Sequence, residues 1–176
     1  MKKILKSPTP PSPKKKSSLI KQINYNSCGP NVMGWVIFHK YGLKVPEEKL
    51  INISNCGRNG AYISGMTKIA DKYGLNYELK HNSLISDLID SIDSGNPVIL
   101  LIQKTWLNIK VQDWSSIQDF GHYIVVHGYS DKEEKIYYYE PYYGKKRTQI
   151  SYKNLDERWH GLDLFPRNHF GMFIQD

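Results

Sequence analysis

Cysteine is nearly absent from this chain: there are two in 176 residues, Cys28 and Cys56, far apart and without a Cys-x-x-Cys pair. That scarcity excludes a disulfide framework. Two isolated thiols fit a reducing compartment, where such a thiol is either buried or chemically active. No two histidines stand at the i, i+4 spacing of a zinc-binding helix, so a structural zinc site is not expected, and neither is a cofactor. Long apolar runs are missing too. Nothing approaches the roughly 18 apolar residues of a membrane span, and the pair Ile4-Leu5 falls far short of the roughly 7–15 apolar residues of a secretory signal. A cytoplasmic protein is therefore expected. There is no Gly-x-Ser-x-Gly elbow. Tyr142-Tyr-Gly144-Lys145-Lys146 fails as a phosphate loop, because position 139 is Tyr where the first glycine belongs and Lys146 stands where Ser or Thr must hold magnesium.

Acidic residues are missing from the first twenty positions, which carry six lysines (Lys2, Lys3, Lys6, Lys14, Lys15, Lys16) and four of the nine prolines. The whole chain has a net charge of +7, so removing the tail's +6 leaves +1 on residues 21–176. The basic pI of 9.2 describes the tail and not a binding face. Residues 1–20 are expected to be an extended, disordered segment with too little apolar surface to fold. The tail's charge would suit an anionic partner. Thirteen tyrosines and four tryptophans suggest nucleic-acid stacking. Tyr137 to Tyr139 read more simply as strand packing, so no specific nucleic-acid binding is expected of the domain.

Residues 21–176, within a chain that is 40% hydrophobic, suffice for one domain with its own core. Asn31 to Tyr41 is apolar nearly all round and stops at Gly42, which predicts a buried helix starting at or just after Cys28. Pro46 opens a short helix through Ile53. Ser64 can cap a helix over Gly65–Tyr73, and Ser83 another from Leu84 to Gly95. Strands are predicted for Pro97–Gln103, Tyr123–Gly128, Lys135–Tyr139, Arg147–Ile150 and His169–Gln175, with a helix over Ser151–Trp159. Helices first and an antiparallel sheet after them make an α+β fold.

What is present is a thiol at a helix start. Unpaired N–H groups and the helix dipole favour a thiolate there, and the thiolate is the nucleophile. His122 heads an apolar strand and Glu140 ends another; Cys, then His, then an acid is the layout of a cysteine hydrolase. His127 lies five positions from His122 on the same strand, hence on the opposite face. Only one of the two can meet Cys28, and His122 is the one expected. Cys56, between Asn55 and Gly57, reads as structural. His39, His81, His160 and His169 read as surface or helix-end residues.

Gln22, Cys28-Gly29-Pro30, Gly-His122-Tyr-Ile-Val-Val-His-Gly128-Tyr and Tyr-Tyr-Glu140-Pro141-Tyr-Tyr-Gly144 follow one another in the order of a known family. So do Gly60-Ala-Tyr-Ile-Ser64-Gly-Met-Thr-Lys-Ile-Ala-Asp-Lys-Tyr-Gly74-Leu, Asp93-Ser-Gly-Asn-Pro97-Val-Ile and Leu155-Asp-Glu-Arg-Trp159-His-Gly161. Across about residues 21–175 the chain resembles the bacteriocin-processing peptidases, the double-glycine leader peptidases of the papain-like cysteine peptidase superfamily. The resemblance implies a papain-like fold and a hydrolase with Cys28 as nucleophile and His122 as general base. It implies that Glu140 orients the imidazole and that Gln22 offers its amide, with the N–H of Cys28, to the oxyanion.

Two departures accompany the resemblance. Glu140 stands where the family usually has Asp, and its extra methylene moves the carboxylate outward. Lys104–Phe120, with Trp106 and Trp114, is longer than the usual approach to the histidine strand and is expected to form a loop over the cleft. With no transporter, ATPase or membrane segment in the chain, the substrate expected is a peptide or small-protein amide in general. Two other readings stay open: an acyltransferase or transglutaminase-like enzyme that passes the thioester to an amine, and a catalytically silent binding module.

Overall fold

A computed structural model describes residues 21–104, 114, 121–162 and 166–176. The lysine-proline tail, and all of the long approach to the histidine strand except Lys104 and Trp114, lie outside the described residues. The first helix, α1 (Cys28–Tyr41), has the all-round apolar surface of a buried helix, and Val32, Met33, Val36 and Ile37 are fully buried. Each such side chain contributes about 1.5–3 kcal/mol of transfer free energy. Gly42 ends α1 at φ 70°, where only glycine is unstrained, and its N–H closes onto the Phe38 carbonyl at 2.8 Å.

Two further helices, α2 (Glu47–Ser54) and α3 (Ile63–Lys72), pack beside α1. A Cβ on Gly65 would lie 2.3 Å from the Ser54 carbonyl oxygen, so the close crossing of α3 over the end of α2 requires glycine. Helix α3 starts two residues before the expected Gly65, with extended Tyr62 as its cap, and Ser64 lies inside the first turn. After it comes a strand the sequence reading missed, β1 (Asn76–Lys80), which interrupts the helical half of the chain. Helix α4 (Ile85–Asp93) follows. Its N-cap is Leu84 and not Ser83; the Leu84 N–H donates to the Asp87 carboxylate at 2.6 Å.

The remaining strands are β2 (Val98–Gln103), β3 (Gly121–Ser130), β4 (Lys135–Glu140), β5 (Lys145–Ser151) and, after helix α5 (Tyr152–Arg158), the short β6 (His160–Leu162), β7 (Pro166–Asn168) and β8 (Gly171–Gln175). The helix expected over Ser151–Trp159 is one residue shorter at each end: Ser151 is its N-cap, the hydroxyl accepting the Asn154 N–H at 3.2 Å. Strands β6 and β7 form a separate ribbon that was not foreseen, and His169 is a turn residue at φ 46°, not part of a strand. The main sheet has the order β1-β8-β2-β3-β4-β5, and every neighbour is antiparallel.

Alternating residues divide the core between the two faces. Ile99, Tyr123, Val125 and Tyr139 join α1 and α3 on one side, and Leu100, Ile102, Ile124 and Tyr138 join Leu88, Leu155 and Trp159 on the other. This is the α+β architecture of helices packed on an antiparallel sheet. Among the described residues no helix is long and apolar enough to cross a membrane.

Candidate active site

Cys28 is the first residue of α1 and is 8% exposed. Gly29 sets its depth, because a Cβ there would stand 2.9 Å from Met66 Sδ, 3.0 Å from Ala61 Cβ and 3.3 Å from a Tyr123 ring carbon. Pro30 has no N–H, so in the first turn only Cys28 and Gly29 can direct N–H groups at a bound oxyanion. The loop before the helix is fastened by Glu47 at the start of α2. Its Oε1 accepts Ser27 Oγ at 2.6 Å and Ile23 N at 3.1 Å, and its Oε2 accepts Asn31 Nδ2 at 2.6 Å. Asn31 in turn accepts the Tyr139 hydroxyl at 2.6 Å, joining the loop to β4 one residue before Glu140.

His122 is the second residue of β3, paired with Ile102 of β2, and 1% exposed. Val125 pairs with Tyr139, so one step further the register sets Glu140 beside Ile124 and diagonal to His122 on the same face. Glu140 Oε1 lies 2.7 Å from His122 Nε2, and the ring also hydrogen-bonds the Cys28 side chain. With Nε2 taken by the carboxylate, Nδ1 is the nitrogen left for sulfur. Burial would lower the His122 pKa, but the hydrogen bonds to Cys28 and Glu140 outweigh it and the net shift is upward.

Glu140 is 3% exposed, and burial would push its carboxyl up. The bonds to His122 and the charge of Lys104 prevail and hold it down at about 2. The partner the sequence reading missed is Lys104, whose Nζ donates to Glu140 Oε2 at 2.6 Å, while the Tyr142 N–H donates to Oε1 at 3.0 Å. Burial lowers the Lys104 ammonium's pKa more than Glu140 raises it. Nothing in the local sequence marks this lysine. Only the β2–β3 register, which pairs Ile102 with His122, carries the chain's continuation to the acid. Arg158 of α5 completes the positive side of the site, its Nε donating to the Gln103 carbonyl at 2.9 Å and its guanidinium 4.4 Å from the centre of the Trp114 ring.

The structure thus brings together Cys28, His122 and Glu140. His127 is turned elsewhere, stacked 5.6 Å from Trp35 of α1. Gln22 is 95% buried in the loop before Cys28, and its N–H donates to the Pro141 carbonyl at 3.0 Å. Its side-chain Nε2 donates to the Asn24 and Tyr25 carbonyls, both at 2.7 Å, and its Oε1 is buried without a hydrogen-bond partner. Both amide hydrogens are therefore occupied in this state. Cys56 is half-buried; its thiol donates to the Asn26 carbonyl at 3.3 Å, and burial, then the charge of Glu47, push its pKa up. Among the described residues no cluster of three His, Cys, Asp or Glu side chains could hold a metal. A groove of about 340 Å³ beside α1, lined by Ile23, Asn31, Trp35, Phe38, Leu50 and Tyr139, lies next to the site but is lined by none of Cys28, His122 and Glu140.

A family model described as "Peptidase_C39 like family" matches residues 16–163. The fold is similar to that of the peptidase domain of Streptococcus ComA, a bi-functional ABC transporter, at a TM-score of 0.64 and 21% identity over 88% of this chain and 95% of that one. The peptidase domain of Streptococcus mutans ComA gives a TM-score of 0.60 at 19% identity, covering 89% and 98%. A double glycine motif protease from an AMS/PCAT transporter, solved with its leader peptide, gives 0.60 at 16% identity, covering 89% and 90%. No curated protein matches in sequence.

Proposed function

Since the chain belongs to the C39-like peptidase family, we propose that it is a cysteine peptidase that cleaves a peptide or small-protein amide through Cys28, His122 and Glu140. The observation that carries this reading is the His122 ring held between two partners, with Glu140 Oε1 at 2.7 Å from Nε2 and a hydrogen bond to the Cys28 side chain.

In the first half-reaction His122 takes the Cys28 proton and the sulfur attacks the scissile carbonyl carbon. The tetrahedral oxyanion forms against the N–H of Cys28 at the start of α1. The imidazolium, stabilised by Glu140, then gives its proton to the leaving amine, and the C–N bond breaks to leave a thioester. In the second half, His122 takes a proton from water, hydroxide adds to the thioester, and the acid product leaves as the proton returns to sulfur. Gln22 would join the oxyanion hole only by releasing one of the carbonyls its amide now holds, so its contribution arises after substrate enters. An oxyanion donor of this kind is worth on the order of 3 kcal/mol.

The reading does not depend on the double-glycine substrate of the similar transporter protease. The test is a cleavage profile over a diverse peptide library. Cleavage by the parent protein that disappears in Cys28→Ala supports it. A parent that labels at Cys28 but releases no amine from any peptide, with or without added acceptor amine, would sink it.

A further inference from the structure

The carboxylate of Glu140 has more partners than orienting an imidazole requires. One oxygen meets His122 at 2.7 Å and the other meets Lys104 at 2.6 Å, with the glutamate side chain 3% and the lysine side chain 12% exposed. Lys104 is enclosed further by the Tyr142 and Tyr143 rings, 5.6 and 5.0 Å from its ammonium. Burying an ammonium is costly unless it is well paired, so an acid is its natural partner. That this acid is the one on the imidazole gives the lysine a chemical consequence.

Resting on the reading of Cys28, His122 and Glu140 given above, we propose that Lys104 is a positioning residue for the imidazole: its ammonium anchors the far oxygen of Glu140 and so presents the near oxygen to His122. Glutamate has one more rotatable bond than aspartate, and an unanchored carboxylate would spread over rotamers that miss the ring. Dividing its two oxygens between a ring nitrogen and an ammonium fixes the carboxylate plane, and the Tyr142 N–H on Oε1 holds the same plane from the chain that follows. Lys104 thus offsets the extra methylene.

The lysine also keeps the acid ionised. Burial would protonate Glu140, and Lys104 and His122 are the groups that oppose it. Among the described residues, the other charged or titratable groups that feel this pair are Cys28 from α1, Arg158 from α5 and Tyr138 and Tyr139 from β4. Arg158 is no substitute for the lysine, because its Nε is spent on the Gln103 carbonyl and its plane rests on Trp114.

The test needs no substrate. The rate of Cys28 alkylation by iodoacetamide is measured across mildly acid to mildly alkaline pH in the full chain, with Cys56 as internal reference. The variants are Lys104→Gln, Lys104→Arg, Glu140→Gln and the Lys104→Gln/Glu140→Gln double mutant, each checked by thermal melting. Lys104→Gln keeps an amide that can donate to the carboxylate, which protects folding, and Lys104→Arg keeps the charge. Lys104→Gln should slow Cys28 about tenfold at mildly acid pH, within the range over which touching groups couple. Lys104→Arg should recover most of the rate, and Lys104→Gln should change nothing further once Glu140 is Gln. A parental profile in Lys104→Gln, an equal loss in both backgrounds, or no recovery in Lys104→Arg overturns the proposal. A parental rate in Glu140→Gln would instead remove the triad reading beneath it, so the two failures are told apart.

Discussion

Cys28 and Cys56 are the same side chain in two surroundings, and the difference is measurable. Cys28 hydrogen-bonds a histidine that is itself held by a carboxylate, whereas Cys56 donates to a backbone carbonyl and is pushed towards its neutral thiol by burial. Iodoacetamide at slightly acid pH should therefore label Cys28 well ahead of Cys56. Equal rates would count against Cys28 as the nucleophile. The two histidines of β3 divide in the same way. His122→Ala should abolish nearly all turnover, while His127→Ala, which removes a stacking partner of Trp35, should mainly lower the melting temperature. Loss of turnover in the His127 variant alone, at equal fold content, would reverse that assignment. At this scale the sequence order of Cys28, His122 and Glu140 was legible because each lies at or next to the end of an element. Lys104 and Glu47 were not, since a lysine after a strand and a glutamate in a helix's first turn are commonplace, and only tertiary contact gives them their partners.

At the scale of elements, what was readable followed from periodicity and what was not followed from context. The apolar run of β2 and the all-round apolar face of α1 declare themselves, and Gly42 and Ser151 end or cap their helices as their chemistry dictates. Strand β1 escaped because only Tyr77 and Lys80 of its five residues are even partly buried; it is an edge strand, completed by pairing with β8 and not by its own alternation. The ribbon of β6 and β7 escaped because two three-residue strands carry too little pattern to detect. The start of α1 is where an element fixes the chemistry. Gly29 has no room for a methyl group between Ala61, Met66 and Tyr123, so Gly29→Ala should cost about 1–3 kcal/mol and displace the thiol. Gly57→Ala, which meets nothing within 4 Å, is the control. Denaturant unfolding and the Cys28 alkylation rate read both effects, and a Gly29→Ala protein matching Gly57→Ala in both would show that this contact does not set the position of the Cys28 thiol.

Across the whole molecule, charge is sorted by place. The +6 of the tail leaves residues 21–176 almost neutral, yet at the site, among the described residues, Lys104 and Arg158 lie half-buried beside one carboxylate and an imidazole. That arrangement couples stability to pH through two groups of opposite sign. Glu140, held down at about 2, contributes stability that is present above its ordinary value of 4.5 and is lost as pH falls through about 2. His122 is held above its ordinary 6.5, so its contribution is full below that value and is lost as pH rises through the higher folded value. The carboxyl's share is on the order of 3 kcal/mol. Glu140→Gln removes the charge that both terms need, and it leaves Lys104 buried without its acid. The parent should therefore exceed Glu140→Gln in unfolding free energy at pH near 5, and the gap should narrow steadily towards the acid limit as the parent's carboxyl takes up its proton. Urea unfolding at a series of acid pH values measures the gap directly. Two parallel curves would mean that folding does not lower the Glu140 pKa, and the charge-paired histidine would fail with it.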